Sequence, residues 1–135
     1  MAVITTPVLS DSTDSLLRFA LRADAVIIGA VGLVGVLAAG PMAAAEGLTA
    51  AHEYALGAFC LLYGVAVYIL SGLSDLRRAG TAVIAANAAC TVIALAVLGA
   101  GVLPLTGIGV VAMLVSAAYT AFIGLVQYRG LRRLR

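Results

Sequence analysis

Long apolar runs separated by short polar clusters dominate this chain. The polar clusters are Asp11-Ser12-Thr13-Asp14, Glu46-Gly47-Leu48-Thr49 with His52-Glu53, Ser74-Asp75-Leu76-Arg77-Arg78, the uncharged Pro104–Gly107 turn, and the closing segment from Tyr128. Between them lie four stretches close to the ~20 apolar residues that a helix needs to cross a bilayer. The pattern predicts an all-α, polytopic membrane protein: a bundle of four transmembrane helices over about 18–40, 54–73, 81–103 and 106–127. Residues 1–14 are expected to be a disordered cytoplasmic N-terminus, 15–128 the transmembrane domain, and 129–135 a basic cytoplasmic tail. No basic leader precedes a short apolar core, so the start does not read as a cleavable signal peptide. The first span has two possible ends. It stops at the Gly40-Pro41 break, or it continues past Pro41 to Ala45 with a kink. Its fully apolar part starts only at Ala25, and the amphipathic lead-in Leu16–Arg22 supplies the missing length. Arg18 and Arg22, four apart, can snorkel together to the headgroups.

Composition strengthens this reading. Of 135 residues, 64% are hydrophobic and 10% charged, and mean hydropathy is +1.17. A soluble domain this small could not cover its surface with so few charges. The formal net charge of +2 is too small for a nucleic-acid footprint. All basic residues are arginine, which together with abundant Ala, Val, Gly and Leu points to a GC-rich, actinobacterial genome.

Charge placement also predicts orientation. Arg18 and Arg22 precede the first span, Arg77 and Arg78 separate the second and third, and the other arginines follow the fourth. Positively charged loops stay cytoplasmic, so both termini are expected inside the plasma (inner) membrane.

In lipid, close backbone approach and interhelical hydrogen bonds hold helices together. Small residues at helical spacing are therefore the expected packing positions: Gly29, Gly32 and Gly35 in the first span, Gly57 and Gly64 in the second, and Ala112, Ser116, Thr120 and Gly124 in the fourth. Cys60 and Cys90 lie in apolar runs outside any metal-ligand spacing and read as small packing residues.

Few side chains could carry chemistry. Asp24 stands just before the apolar part of the first span, where an ion pair with Arg22 or Arg78 is expected. Asn87 is the most polar residue well inside a span, with Thr91, Ser116, Tyr119 and Thr120 in reach as interhelical partners. With Gln127 these could ring a cytoplasmic-facing polar vestibule, making Asp24, Asn87 and Gln127 the candidate ligand-binding residues. His52 and Glu53 suit the start of a helix, where glutamate complements the dipole, and one histidine makes a poor metal site. No catalytic residue, metal site or cofactor motif is expected.

The run Arg18-Phe19-Ala20-Leu21-Arg22-Ala23-Asp24-Ala25-Val26, followed by Gly29 and Gly32-Leu33, resembles the opening of small four-helix integral membrane proteins common in actinobacteria. Asn87 and the ending Gln127-Tyr128-Arg129-Gly130-Leu131-Arg132-Arg133 fit the same pattern. The resemblance implies the fold and carries no catalytic residues with it. Small size and smooth helix faces favour a non-enzymatic accessory subunit, partnered by the lipid bilayer and by other integral membrane proteins or a second copy, such as in a transporter or respiratory assembly. The alternative is a small-molecule or lipid-binding protein, or a small transporter, acting as a homo-oligomer.

Overall fold

A computed structural model describes residues 13–134. Those residues form five helices: α1 (Ser15–Leu37), α2 (Ala39–Glu46), α3 (Ala50–Ser71), α4 (Leu76–Ala100) and α5 (Gly107–Arg132). The expected N-terminal disorder falls largely on residues 1–12, outside the described residues. Four of the helices, α1, α3, α4 and α5, are long and apolar enough to cross a membrane. Large hydrophobic side chains, among them Phe19, Leu37, Leu62, Val92 and Phe122, are exposed on the outside of the bundle. Only hydrocarbon solvates such a surface without penalty, so the chain is a multi-pass helical membrane protein in contact with the lipid bilayer.

Local chemistry sets the helix ends. Thr49 and His52 form a reciprocal capping box: the threonine hydroxyl accepts from the His52 amide, and the Thr49 amide donates to the imidazole Nδ1. This cap starts α3 at Ala50, a full turn before the Tyr54 expected from hydropathy. Asp75 and Thr106 cap α4 and α5 by accepting from the amides of Arg78 and Gly109, at 3.2 Å each. Asp14 flanks α1 without a side-chain cap, and its carboxylate pairs with Arg18 at 2.9 Å. The basic segment after Tyr128 is not a separate tail, because α5 runs on to Arg132.

The first span follows neither expected ending fully. Its helix breaks at Ala38 and resumes as α2, reaching Glu46. Pro41 explains the position of the break. It lacks an amide hydrogen, and its ring would collide with the carbonyl four residues earlier, so it is tolerated only in the first turn of a new helix. Gly47, in the left-handed conformation at φ 81°, closes α2.

The helices associate as two pairs, α1 with α3 and α4 with α5, joined along α1 and α5, with α2 tucked against α3 and α5. The α1–α3 seam depends on glycine. A Cβ on Gly32 would lie 2.6 Å from the Leu61 amide nitrogen, and one on Gly64 would lie 2.7 Å from the Ala25 carbonyl oxygen. Gly57 is equally closed in, 2.8 Å from the Val36 nitrogen. Gly35 is looser, at 3.3 Å from the Gly57 Cα, and Gly29 contributes only its backbone, since its own Cβ would meet open space.

The fourth-span stripe does not form one seam. Gly124 faces Asn87, with 3.5 Å between its would-be Cβ and that of Asn87, and Thr120 bonds to Thr91 across the α4–α5 contact. Ser116 is exposed and donates back to the Ala112 carbonyl, and Ala112 is half-buried. A four-residue step on a 3.6-residue helix rotates about 40°, so a stripe that starts inside the bundle winds out of it.

Every described arginine lies at one end of the bundle. There Arg18 donates to the Ser71 carbonyl, and Arg77 donates to the Leu134 carbonyl at 3.1 Å. The core of Leu17, Leu21, Ala25, Val67, Leu76 and Val83 packs towards this end. At the opposite end the Thr106 hydroxyl and amide donate to the carbonyls of Ala45 and Glu46, at 2.6 and 3.0 Å, fastening α2 to α5.

The seam makes a sharp contrast testable. Gly32→Ala is expected to destabilise the bundle by on the order of 1–3 kcal/mol, because the methyl meets backbone atoms that cannot yield. Gly29→Ala, one turn away, is expected to be neutral or stabilising by up to about 1 kcal/mol through helix propensity. Denaturant titration of the two variants in micelles checks this; equal behaviour would contradict the seam.

Candidate functional site

The buried face of α1 follows helical spacing through Leu17, Ala20, Leu21, Asp24 and Ala25. Asp24 therefore points into the bundle with its hydrophobic neighbours and is 0% exposed. Since α1 begins at Ser15, Asp24 lies roughly 14 Å along the helix, deep in the bundle and not near its edge.

Four side chains from three other helices donate to its carboxylate. The Tyr119 hydroxyl (α5) donates to Oδ1 at 2.9 Å. Asn87 Nδ2 (α4) and Gln127 Nε2 (α5) each donate to Oδ2 at 3.0 Å, and the Tyr63 hydroxyl (α3) approaches the same oxygen at 3.4 Å. Asn87 Nδ2 also donates to Gln127 Oε1 at 3.0 Å, closing a triangle of three side chains. Three of the four donors converge on Oδ2 and one meets Oδ1. One turn further along α4, the hydroxyls of Thr91 and Thr120 bond to each other at 2.6 Å.

The three candidate ligand-binding residues Asp24, Asn87 and Gln127 are thus brought together, but not as a vestibule. Their exposures are 0, 2 and 0%, and Asn87 Nδ2, both polar atoms of the Gln127 amide and Asp24 Oδ2 are bonded within the triangle. The ion pair expected for Asp24 does not form. Arg22 lies two residues before Asp24, about 200° around the helix, and is exposed; Arg78 is also exposed and pairs with Asp75 at 3.4 Å. Among the described residues Asp24 has no cationic partner, and neutral donors alone stabilise it.

Sequence reasoning missed the two tyrosines as partners of Asp24. The available signal was a hydroxyl inside an apolar span, which must find an acceptor, and Asp24 is the only buried carboxylate at that depth. It also missed how buried Glu53 is, at 3% exposure. Gly124 matters for a local reason: lacking a side chain, it lets Asn87 close on α5. The free cysteines Cys60 and Cys90 are both half-buried. Among the described residues no group of three or more His, Cys, Asp or Glu side chains is placed to hold a metal ion.

Comparison with protein-family models, curated proteins and solved structures finds no match to this chain. Its arrangement defines a class only: a helical membrane bundle locked around one internal carboxylate.

Removing that carboxylate leaves buried donors without an acceptor. Asp24→Asn, which sets an amide donor against the Asn87 and Gln127 donors, is expected to cost about 1–3 kcal/mol. In a double-mutant cycle, Asp24→Asn and Gln127→Leu are expected to be non-additive by more than about 0.5 kcal/mol. Unfolding titrations of the two single variants and the double variant measure both quantities; strict additivity would show that the residues do not act as one cluster.

Proposed function

We propose that this chain is a non-enzymatic accessory subunit that packs against a larger assembly in the plasma membrane, such as a transporter or respiratory complex, with both termini cytoplasmic. The observation carrying this reading is the contrast between a closed interior and an open flank. Inside, the polar side chains are used up in the Asp24 cluster, which leaves a hydrogen-bonded anchor and no exposed polar group there to meet a substrate. Outside, α4 is the least covered of the spanning helices: 11% of its most apolar stretch is buried, against 33% for α1. Its exposed surface carries the small side chains Ala82, Ala85, Ala88, Ala89 and Ala96 beside the larger Val92, Ile93 and Leu95. Lipid gives no reason to choose alanine over leucine, whereas a helix from another protein packs closely only on small residues.

The orientation rests on the arginines gathered at one end of the bundle, facing an opposite end whose ionisable side chains are Glu46, His52 and Glu53. Positively charged segments are retained on the cytoplasmic side. The homo-oligomeric small-molecule carrier is favoured less, because it needs Asp24 and Asn87 to line an opening, and both are covered.

Purification of a tagged chain from native membranes in mild detergent tests the proposal. A stoichiometric membrane-protein partner is expected, and it is expected to be lost in Ala85→Leu/Ala89→Leu while the bundle itself keeps its unfolding midpoint. Elution of the wild type as a free monodisperse monomer would overturn the reading, and a homo-oligomer disrupted by the same substitutions would transfer it to self-association. Cysteine-accessibility labelling at residue 134 is expected to require membrane permeabilisation.

A further inference from the structure

The arginine-free end of the bundle holds a second group of ionisable side chains. Glu53, in the first turn of α3, is 3% exposed. Its Oε1 is, among the described residues, the one buried side-chain nitrogen or oxygen without a hydrogen-bond partner. Within hydrogen-bonding reach lies the carboxyl group of Glu46, the last residue of α2. The short Gly47–Thr49 connection turns α2 back on α3 and brings the two acids together.

Among the described residues no donor reaches Glu53 Oε1. On α3 itself the neighbouring ionisable groups are the exposed Tyr54 and His52; the imidazole, its Nδ1 engaged in the Thr49 cap, favours the ionised form of Glu53, but burial and the Glu46 carboxyl outweigh it. The part of α1 packed here, around Gly35, has no ionisable residue beyond Asp24, and α5 has none before Tyr119. No described arginine reaches this end. A buried acceptor left unbonded costs about 1–3 kcal/mol, and two adjacent carboxylates, one buried and one half-buried, repel each other when both are ionised. One proton between them removes both penalties, turning repulsion into a short, charge-assisted hydrogen bond. A divalent cation answers less well. It asks for about six oxygens, and the nearest backbone carbonyls, those of Ala45 and Glu46, already accept from Thr106.

We propose that Glu46 and Glu53 form a proton-binding site, in which one proton taken from solvent on the arginine-free side bridges the two carboxyl groups and clasps α2 to α3. The contact that responds is the one between α2 and α3. The α2 helix has eight residues and joins α1 through the non-helical Ala38, at φ −116° and ψ 26°. Loss of the proton leaves two like charges facing each other and weakens the contact between α2 and α3, while Thr106 still holds the end of α2 to α5. The bundle thereby registers the acidity of one side of the membrane, while the Asp24 cluster at its centre stays closed. The site is independent of whether the chain is an accessory subunit.

The full chain in lipid nanodiscs provides the test. Infrared spectra recorded as the pH is lowered are expected to show a protonated-carboxyl C=O band that appears at higher pH than that of an ordinary glutamate, shifts in D2O and is lost in both Glu53→Gln and Glu46→Gln. Because the folded chain holds a proton that the unfolded chain releases, the wild-type thermal midpoint is expected to fall as pH rises. Glu53→Gln, which donates permanently to Glu46 from an isosteric side chain, is expected to lose that dependence. Absence of the band in the wild type, or its survival in Glu53→Gln, would overturn the proposal. A midpoint that follows added magnesium or EDTA at constant pH would also overturn it, in favour of a metal site.

Discussion

A carboxylate inside hydrocarbon has no water to fall back on, and the bundle is organised around that constraint. Leaving Asp24 in lipid, or half-satisfied, would cost more than any single apolar contact returns. Its four donors come from α3, α4 and α5, so the only arrangement that satisfies it is one in which every spanning helix is already in place. Each bond is worth little alone, because the separated helices would also find partners in the membrane. Their weight lies in selection, because a packing that separates these helices leaves the Asp24 carboxyl group without its donors.

The glycine seam and the carboxylate cluster divide the work along α1. The seam lets α1 and α3 approach until backbone touches backbone, a contact set by shape and independent of charge. The cluster then fixes how the α4–α5 pair sits against them. Leu17 reinforces this placement at the arginine end, where a Cβ on Gly130 would lie 2.7 Å from its backbone nitrogen. Two of the three tight contacts of α1 are thus steric and one is electrostatic. A sliding motion that relieved one would violate another.

Much of this was legible before any coordinates. Span number followed from the lengths of the apolar runs, and the meeting of Asp24, Asn87 and Gln127 followed from their being polar groups on the same side of the midplane. What misled was depth. Counting α1 from Ala25, where it becomes fully apolar, places Asp24 at the edge; the helix starts at Ser15, and its lead-in buries Leu17 and Leu21, so the same residue sits well inside. Hydropathy averages over the faces of a helix, and only the periodicity of Leu17, Leu21 and Asp24 records which face is buried. The open vestibule was the natural inference from three polar residues without known partners. Tyr63 and Tyr119 supply the donors that close it, and their hydroxyls were visible in the sequence without any mark of direction. The Ala38 break shows the same limit: Pro41 announces an interruption, but whether the chain stops or restarts depends on what α3 and α5 offer to the segment beyond.

The distribution of polar groups also accounts for the shape of the outside. The α4 helix packs along α5, where the Thr91 and Thr120 hydroxyls bond to each other, places Leu76 and Val83 in the apolar core at the arginine end, and reaches the centre through Asn87. It touches α1 and α3 far less than α5, so the bond from Asn87 to Asp24 is what ties it to that pair. The face of α4 turned away from α5 takes no part in this. It stays open to lipid or to a helix from outside the bundle, with Ala82, Ala85 and Ala89 permitting close approach beside the larger Val92 and Ile93.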